Sequence, residues 1–237
     1  MANDLHPRLT PAEPATPAYV HEVYHWAYVD PRRVAWLERN WVVRLILFGN
    51  DRRLMAAYLN RIRPGMRVWQ VAHVYGDLIR NAALRCGAGG SFELSDVTPI
   101  QLQLARRKLA GLPWAKVAAG DATSHRPAQA PQLISCFFLL HEVPDAVKSR
   151  IVDNLLAQLA DSAELVFVDY HRPRWWQPAR LLLVAVNRWL EPFAASLWKR
   201  EIASFASEPE RYQWRKSTLF GGVYQVVSVT RRSASNP

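Results

Sequence analysis

Cysteine is scarce in this 237-residue chain: Cys86 and Cys136 are the only two, and no CxxC occurs. They fall in a predicted helix and a predicted central strand, which excludes a disulfide framework and points to a reducing compartment. No apolar run is long enough to cross a bilayer, and the N-terminus lacks the apolar stretch of a secretory signal, so the expected location is the cytosolic side. Acidic residues are outnumbered, 20 Asp and Glu against 30 Lys and Arg, a formal charge of +10. Such a surface attracts an anionic partner, whether nucleic acid, an acidic membrane or a charged ligand. Glycine is missing at the stretch that organises the chain. Arg67 to Asp77, RVWQVAHVYGD, reads as a strand over 67–74 that runs through a tight turn into a helix, with Gly76 its one glycine. In nucleotide-binding α/β folds the backbone comes closest to the cofactor at that turn, and glycines make room for it. Here Gln70 stands where an acidic residue is usual, and Ala72 and Val74 stand where glycine or a small residue is usual.

The length suits one well-packed α/β domain with a cap. Residues 1–18 carry Pro7, Pro11, Pro14 and Pro17 and read as a disordered or extended lead-in. Residues 19–64 read as a helical cap, with one helix opened by Asp30 and Pro31 and ending at Gly49-Asn50, and a second capped by Asp51. Residues 65–172 form the expected cofactor-binding core. Strands at 67–74, 91–96, 115–119, 132–139 and 164–169 alternate with helices at 77–86, 99–110 and 145–159. Near-continuous apolar strands such as LISCFFLL belong to a parallel sheet buried on both faces, so the fold class is α/β, doubly wound and mostly parallel. Residues 173–216 read as an insertion of two amphipathic helices broken at Pro192. Residues 217–232 read as closing strands around a Gly221-Gly222 turn, one of them antiparallel.

Asp96 ends the second strand, 20 residues beyond Gly76, where a carboxylate accepts hydrogen bonds from the hydroxyls of an adenosine ribose; the alternative is a cap for the next helix. Asp121 in GDA, beside Ala122, either takes an adenine amino group or serves as a turn residue. The fourth strand runs out at Leu140, His141 and Glu142 and the fifth at Asp169, Tyr170 and His171, both on the carboxyl edge where ligands bind. Neighbouring strands would bring the two clusters together as a metal or acid/base site; the alternative is ordinary capping and loop polarity. His73 and Tyr75 either touch the cofactor or pack, Tyr75 being the better candidate because a buried phenol needs a partner. From Arg172 onward 11 Lys or Arg face 4 Glu, interleaved with Trp175, Trp176, Trp189, Trp198 and Trp214, as on a membrane-interface surface. Arg180, Asn187, Arg188 and Glu191 lie on one helical stripe and leave a broad apolar face, either for the domain's own core or for a headgroup layer.

The strand order, Asp96, Gly120 to Ala122, LLHEVP at Leu139 to Pro144 and the closing glycine pair resemble a seven-stranded class I S-adenosylmethionine methyltransferase of the quinone-modifying type. WAY at Trp26 to Tyr28, LFGN at Leu47 to Asn50, QVAHVYGD at Gln70 to Asp77, LLHEVP and FVDYHRP at Phe167 to Pro173 resemble more specifically the rhodoquinone biosynthesis methyltransferase-like family, over nearly everything from Tyr19 to Arg232. That resemblance implies conversion of ubiquinone to rhodoquinone, a ring methoxy group being replaced by an amino group. It implies S-adenosylmethionine as amino donor and a supporting manganese ion, with His141, Glu142, Asp169 and His171 as candidate ligands. Gln70, Ala72, Val74, Gly76, Asp96, Asp121, Ala122 and Leu140 would hold the cofactor, and His141, Tyr75, Asp169 and His171 would carry the chemistry. The implied partners are a long-tailed quinone and the surface of the inner membrane, with no nucleic acid. Two further readings stand beside it: a conventional quinone or small-molecule methyltransferase, and an inactive methyltransferase fold that binds lipid or RNA.

Overall fold

The computed structural model describes residues 36–189 and 193–232. The lead-in, the cap before Trp36 and Pro192 lie outside the described residues. Seven strands form one sheet in the order β3-β2-β1-β4-β5-β7-β6. They are β1 (Arg67–Val71), β2 (Ser91–Asp96), β3 (Ala115–Ala119), β4 (Leu133–Phe137), β5 (Glu164–Tyr170), β6 (Tyr212–Leu219) and β7 (Tyr224–Arg231). Strands β1 to β5 pair in parallel, and β7 runs antiparallel to both β5 and β6. The expected doubly wound sheet with a reversed closing strand is present.

Period-two alternation divides the central strands between two apolar layers. Val68, Leu133, Phe137, Val166 and Val168 face one layer, packed by α2 (Asp51–Leu59) and α3 (Leu78–Cys86) through Leu54, Tyr58, Ile79 and Ala82. Trp69, Val71, Ile134, Cys136, Leu165 and Phe167 face the other, packed by α5 (Asp145–Ala157) through Ile151, Val152 and Leu155. The helix between these in chain order is α4 (Pro99–Lys108), and α1 (Asn40–Ile46) precedes the sheet. Trp69 is wholly buried, and its indole N–H donates to Ser95 Oγ at 3.0 Å, the partner a buried indole requires. Cys86 and Cys136 are free and buried.

Several boundaries differ from the sequence-based expectation. Strand β1 stops at Val71 rather than 74 because Ala72 turns into the left-handed region, φ 64°. Strand β4 stops at Phe137 rather than 139 for the same reason at Phe138, φ 52°. The insertion holds a single described helix, α6 (Ala179–Trp189), followed by short 3-10 turns at Ala194–Trp198, Ile202–Phe205 and Pro209–Arg211. Strand β6 begins at Tyr212, ahead of the expected 217. It is an edge strand, buried at Tyr212, half-buried at Trp214 and Leu219, and exposed at Gln213 and from Arg215 to Thr218.

A buried lysine ties the insertion to the core. Lys148 on α5 donates to the Val143 carbonyl at 2.8 Å, Asp145 Oδ1 at 2.9 Å and the Phe193 carbonyl at 2.9 Å, which uses all three of its protons.

Candidate active site

The residues that follow the carboxyl ends of β1, β2, β3, β4 and β5 meet at one edge of the sheet, where ligands bind in such folds. After β1, Ala72 holds a glycine's conformation while carrying a Cβ, at a cost of about 1–2 kcal/mol. The surroundings fix it there: its N–H donates to the Ser95 carbonyl at 2.9 Å, and the His73 N–H donates to Asp96 Oδ2 at 2.8 Å. Lys108 Nζ donates to the carbonyls of Val74 at 3.3 Å and Gly76 at 2.7 Å and pairs with Glu38 Oε2 at 2.5 Å. Gly76 is needed twice over, since its φ is 79° and a Cβ there would stand 2.9 Å from Asn40 Oδ1.

Asp96 Oδ1 accepts from the Thr98 N–H at 2.8 Å, so this carboxylate joins the β2 end to the β1 loop and also marks the start of α4. Burial pushes its pKa up, opposed by the backbone N–H groups of His73 and Thr98. Asp121 Oδ1 accepts from the Thr123 N–H at 2.8 Å in a side-chain turn. Ala72, His73, Asp96, Asp121 and Ala122 line one cavity, closed below by Leu139, Val143 and Ile151. Gln101 also lines it; its Nε2 donates to the Tyr75 hydroxyl at 2.9 Å and its Oε1 has no partner among the described residues. A slot with two carboxylates, an unpartnered amide oxygen and an aliphatic floor fits an adenosine moiety. Gln70, Val74, Gly76 and Leu140 do not line that cavity. Gln70 is fully buried beneath the loop, its Nε2 3.4 Å from the carbonyls of Val71 and Ala72, its Oε1 unpartnered among the described residues.

Strands β4 and β5 are neighbours, and the two polar clusters meet. His141 Nδ1 lies 2.9 Å from Asp169 Oδ1. Asp169, 1% exposed, also accepts from the backbone N–H groups of Leu140 at 2.9 Å, His141 at 3.3 Å and Tyr170 at 2.7 Å. A carboxylate on Nδ1 makes that nitrogen the donor and leaves Nε2 as the basic one, the arrangement of a positioned general base. Glu142 Oε1 lies 3.7 Å from Nε2, and Phe138, Leu139, Glu142 and Val143, on either side of His141, line the same cavity as Asp96 and Asp121. His171 does not join the cluster; its Nδ1 turns to the Gly222 carbonyl at 3.0 Å. Tyr75 does not line the cavity; its hydroxyl accepts from Gln101, which does, and its ring packs against Leu37 and Val42. Among the described residues no three His, Cys, Asp or Glu side chains converge as a metal site. Asp169 is saturated by N–H donors and His171 faces away, so the four expected manganese ligands do not fit a metal, and no step is derived through one.

An aromatic cluster closes on His141; Phe48 of LFGN, Phe138 of LISCFFLL and Tyr170 of FVDYHRP belong to it, and no sequence pattern brings them together. The Tyr170 and Phe138 rings stand edge-on to the imidazole at 4.8 and 5.7 Å between centroids. Tyr224 lies 5.6 Å from Tyr170, Phe220 stacks on Tyr224 at 6.4 Å and Phe48 stacks on Phe220 at 5.8 Å. Phe48, Phe138 and Phe220 all have φ between 50° and 52°, a conformation rare for bulky residues and concentrated at functional sites.

No family model and no curated protein matches the chain. Solved structures do. A mitomycin 7-O-methyltransferase aligns at 17% identity and TM-score 0.65 over 88% of this chain. Human N-acetylserotonin methyltransferase in complex with SAM aligns at 12% and 0.60 over 90%. The N-methyltransferase NodS from Bradyrhizobium japonicum aligns at 15% and 0.57 over 78% of this chain and 97% of its own. The chain spans 60% of the length of each of the first two. With strand order and likeness in agreement, the chain has the class I S-adenosylmethionine-dependent methyltransferase fold.

Proposed function

We propose that this protein is an S-adenosylmethionine-dependent transferase acting on the ring of a long-tailed quinone, replacing a methoxy group of ubiquinone by an amino group to give rhodoquinone. The observation that carries this reading is Gln70, a neutral amide buried directly under the cofactor loop where the fold usually places a carboxylate. An acid there would hold a nearby ammonium protonated; an amide leaves the amine free to act as a nucleophile. The Cβ of Ala72 narrows the room for the methionine end, while Asp96, Asp121 and Gln101 keep the nucleoside end.

When bound, S-adenosylmethionine supplies the nitrogen that bonds to the methoxy-bearing ring carbon. His141 Nε2 takes the proton released there, and Asp169 steadies the resulting imidazolium. The ring carbon would lose its bond to methoxide, which leaves with that proton as methanol, and the nitrogen would stay bonded to the donor's α-carbon until elimination across the donor's α- and β-carbons returns a hydrogen to it and frees the ring amino group. Phe138, Tyr170 and Phe220, backed by the buried Tyr224, would form the wall against which a flat quinone ring stacks.

Conventional methyl transfer to a ring hydroxyl is the second reading, favoured by the His141–Asp169 geometry and by the O- and N-methyltransferases of like fold. Incubation of ubiquinone with cofactor labelled separately at the methyl carbon and at the α-nitrogen divides the two. Nitrogen label in the product is expected; methyl label alone would give the second reading. Absence of cofactor binding in a titration would leave an inactive fold.

The acceptor is drawn from the cytosolic face of the inner membrane in this proposal, by a protein docked peripherally. No described helix is long and apolar enough to span a bilayer. Trp36, Trp41, Leu45 and Ile46 around α1 and Leu181, Leu182 and Val184 on α6 are exposed and apolar, and Phe48 and Phe220 lead from α1 inward to His141.

A further inference from the structure

A groove of about 490 Å³ lies between residues 171–175, Arg180 near the start of α6 and residues 197–201 at and beyond the end of the 3-10 turn Ala194–Trp198, away from the cavity at the β1 and β2 ends. Arg172, Arg174, Arg180 and Lys199 line it, and no carboxylate among the described residues pairs with any of them. The acid in the groove, Glu201, is already taken by Lys216 at 2.6 and 2.7 Å. Arg200 is committed as well, 3.6 Å from Asp145, bonded to the Ser204 carbonyl at 2.9 Å and stacked on Phe205 at 4.2 Å. Four cations sharing one concavity repel each other, and an anion placed among them removes that cost.

The rim narrows the choice of anion. Trp175 is 83% exposed and Leu181 82% exposed, with Trp176, Leu182 and Val184 also outside. Of α6 up to Val184, only Leu183 is buried, so the helix turns aliphatic side chains outward beside the basic groove. Free phosphate would account for the cations but leave the exposed Trp and Leu side chains in water. A nucleic acid would use the cations and stack on Trp175, but it has no use for Leu181, Leu182 and Val184. A phospholipid meets both halves, its phosphate among the cations and its acyl boundary against the apolar rim.

We propose that this groove binds the phosphate of an anionic phospholipid headgroup and fixes the orientation in which the protein sits on the bilayer. The proposal rests on the reading that the acceptor comes from a membrane, and it names the lipid class that the docking face selects.

Flotation of the full chain with vesicles tests it. Phosphatidylcholine vesicles carrying phosphatidylglycerol should bind far more tightly than phosphatidylcholine alone. Arg172→Gln, Arg180→Gln and Lys199→Gln should each weaken binding to the anionic vesicles on the order of fivefold, with little effect on the neutral ones. Trp175→Ala with Leu181→Ala should weaken binding to both. Equal binding of the wild type to neutral vesicles would overturn the proposal. So would full release by millimolar inorganic phosphate at constant ionic strength, or tighter binding to an RNA oligonucleotide than to vesicles. Turnover of a short-tailed quinone in detergent should be unchanged in the triple Gln variant. Loss of that turnover in the wild type, with vesicle binding intact, would remove the quinone reading and leave the groove standing.

Discussion

Gln70 lies on β1 and His141 in the 3-10 turn at Leu140–Glu142 beyond the neighbouring β4, and the two make opposite demands on charge. The Gln70 amide has no partner for its oxygen among the described residues, so the pocket beneath the loop holds a polar atom at some cost and no net charge. Gln70→Glu is expected to depress nitrogen transfer while cofactor affinity is kept or improved, read by label incorporation and by titration; increased turnover would refute the role given to Gln70. In the proposed reaction His141 is the group that accepts a proton, its Nδ1 held by the buried Asp169 carboxylate at 2.9 Å. His141→Ala should lower kcat by about 10²–10⁴-fold and leave cofactor binding in place, measured by single-turnover kinetics and calorimetry. These two residues were legible in the chain, because strand ends and the β1 loop are where such folds put chemistry. The Phe48 and Phe220 pair was not. The two are distant in sequence, each looks like one more apolar residue, and their left-handed backbone is visible only in the fold.

At the scale of elements, the interior was read well and the periphery poorly. Strands buried on both faces, such as LISCF, announce themselves by composition. Strand β6, YQWRKSTL, is exposed at Gln213 and from Arg215 to Thr218 and carries charges, so Arg215 and Lys216 hid its first half. The expected second amphipathic helix is replaced by 3-10 turns held by contacts that no local pattern reveals, Lys148 foremost. Lys148→Met would leave the Val143 and Phe193 carbonyls unpaired in the interior. A loss of about 3 kcal/mol in unfolding free energy is expected, with the insertion between residues 179 and 211 opening first in hydrogen exchange.

The molecule as a whole should respond to acid through His73. Its ring is held well below the ordinary value of 6.5, by burial first and by the Lys108 charge second, with the Glu38 carboxylate that pairs with Lys108 lying 3.4 Å from its Nε2. The folded chain therefore keeps this ring neutral where the unfolded chain takes up a proton. Stability contributed at neutral pH falls as pH drops below the unfolded value, by at most about 1.4 kcal/mol per pH unit. His73→Phe should flatten the fall of the urea midpoint between about pH 7 and 5; an unchanged slope would place the sensitivity elsewhere.

Strand β7 follows β6 along the chain yet lies inside it, between β6 and β5. During synthesis β6 therefore emerges with no sheet to join and has to wait for the segment after the Gly221-Gly222 turn. The hairpin then enters as a pair, its inner strand carrying Tyr224 into the ring wall near His141. Completion of the sheet and completion of the aromatic cluster around His141 therefore coincide, and a chain halted at β6 would lack both Tyr224 and the pairing of β5 with β7.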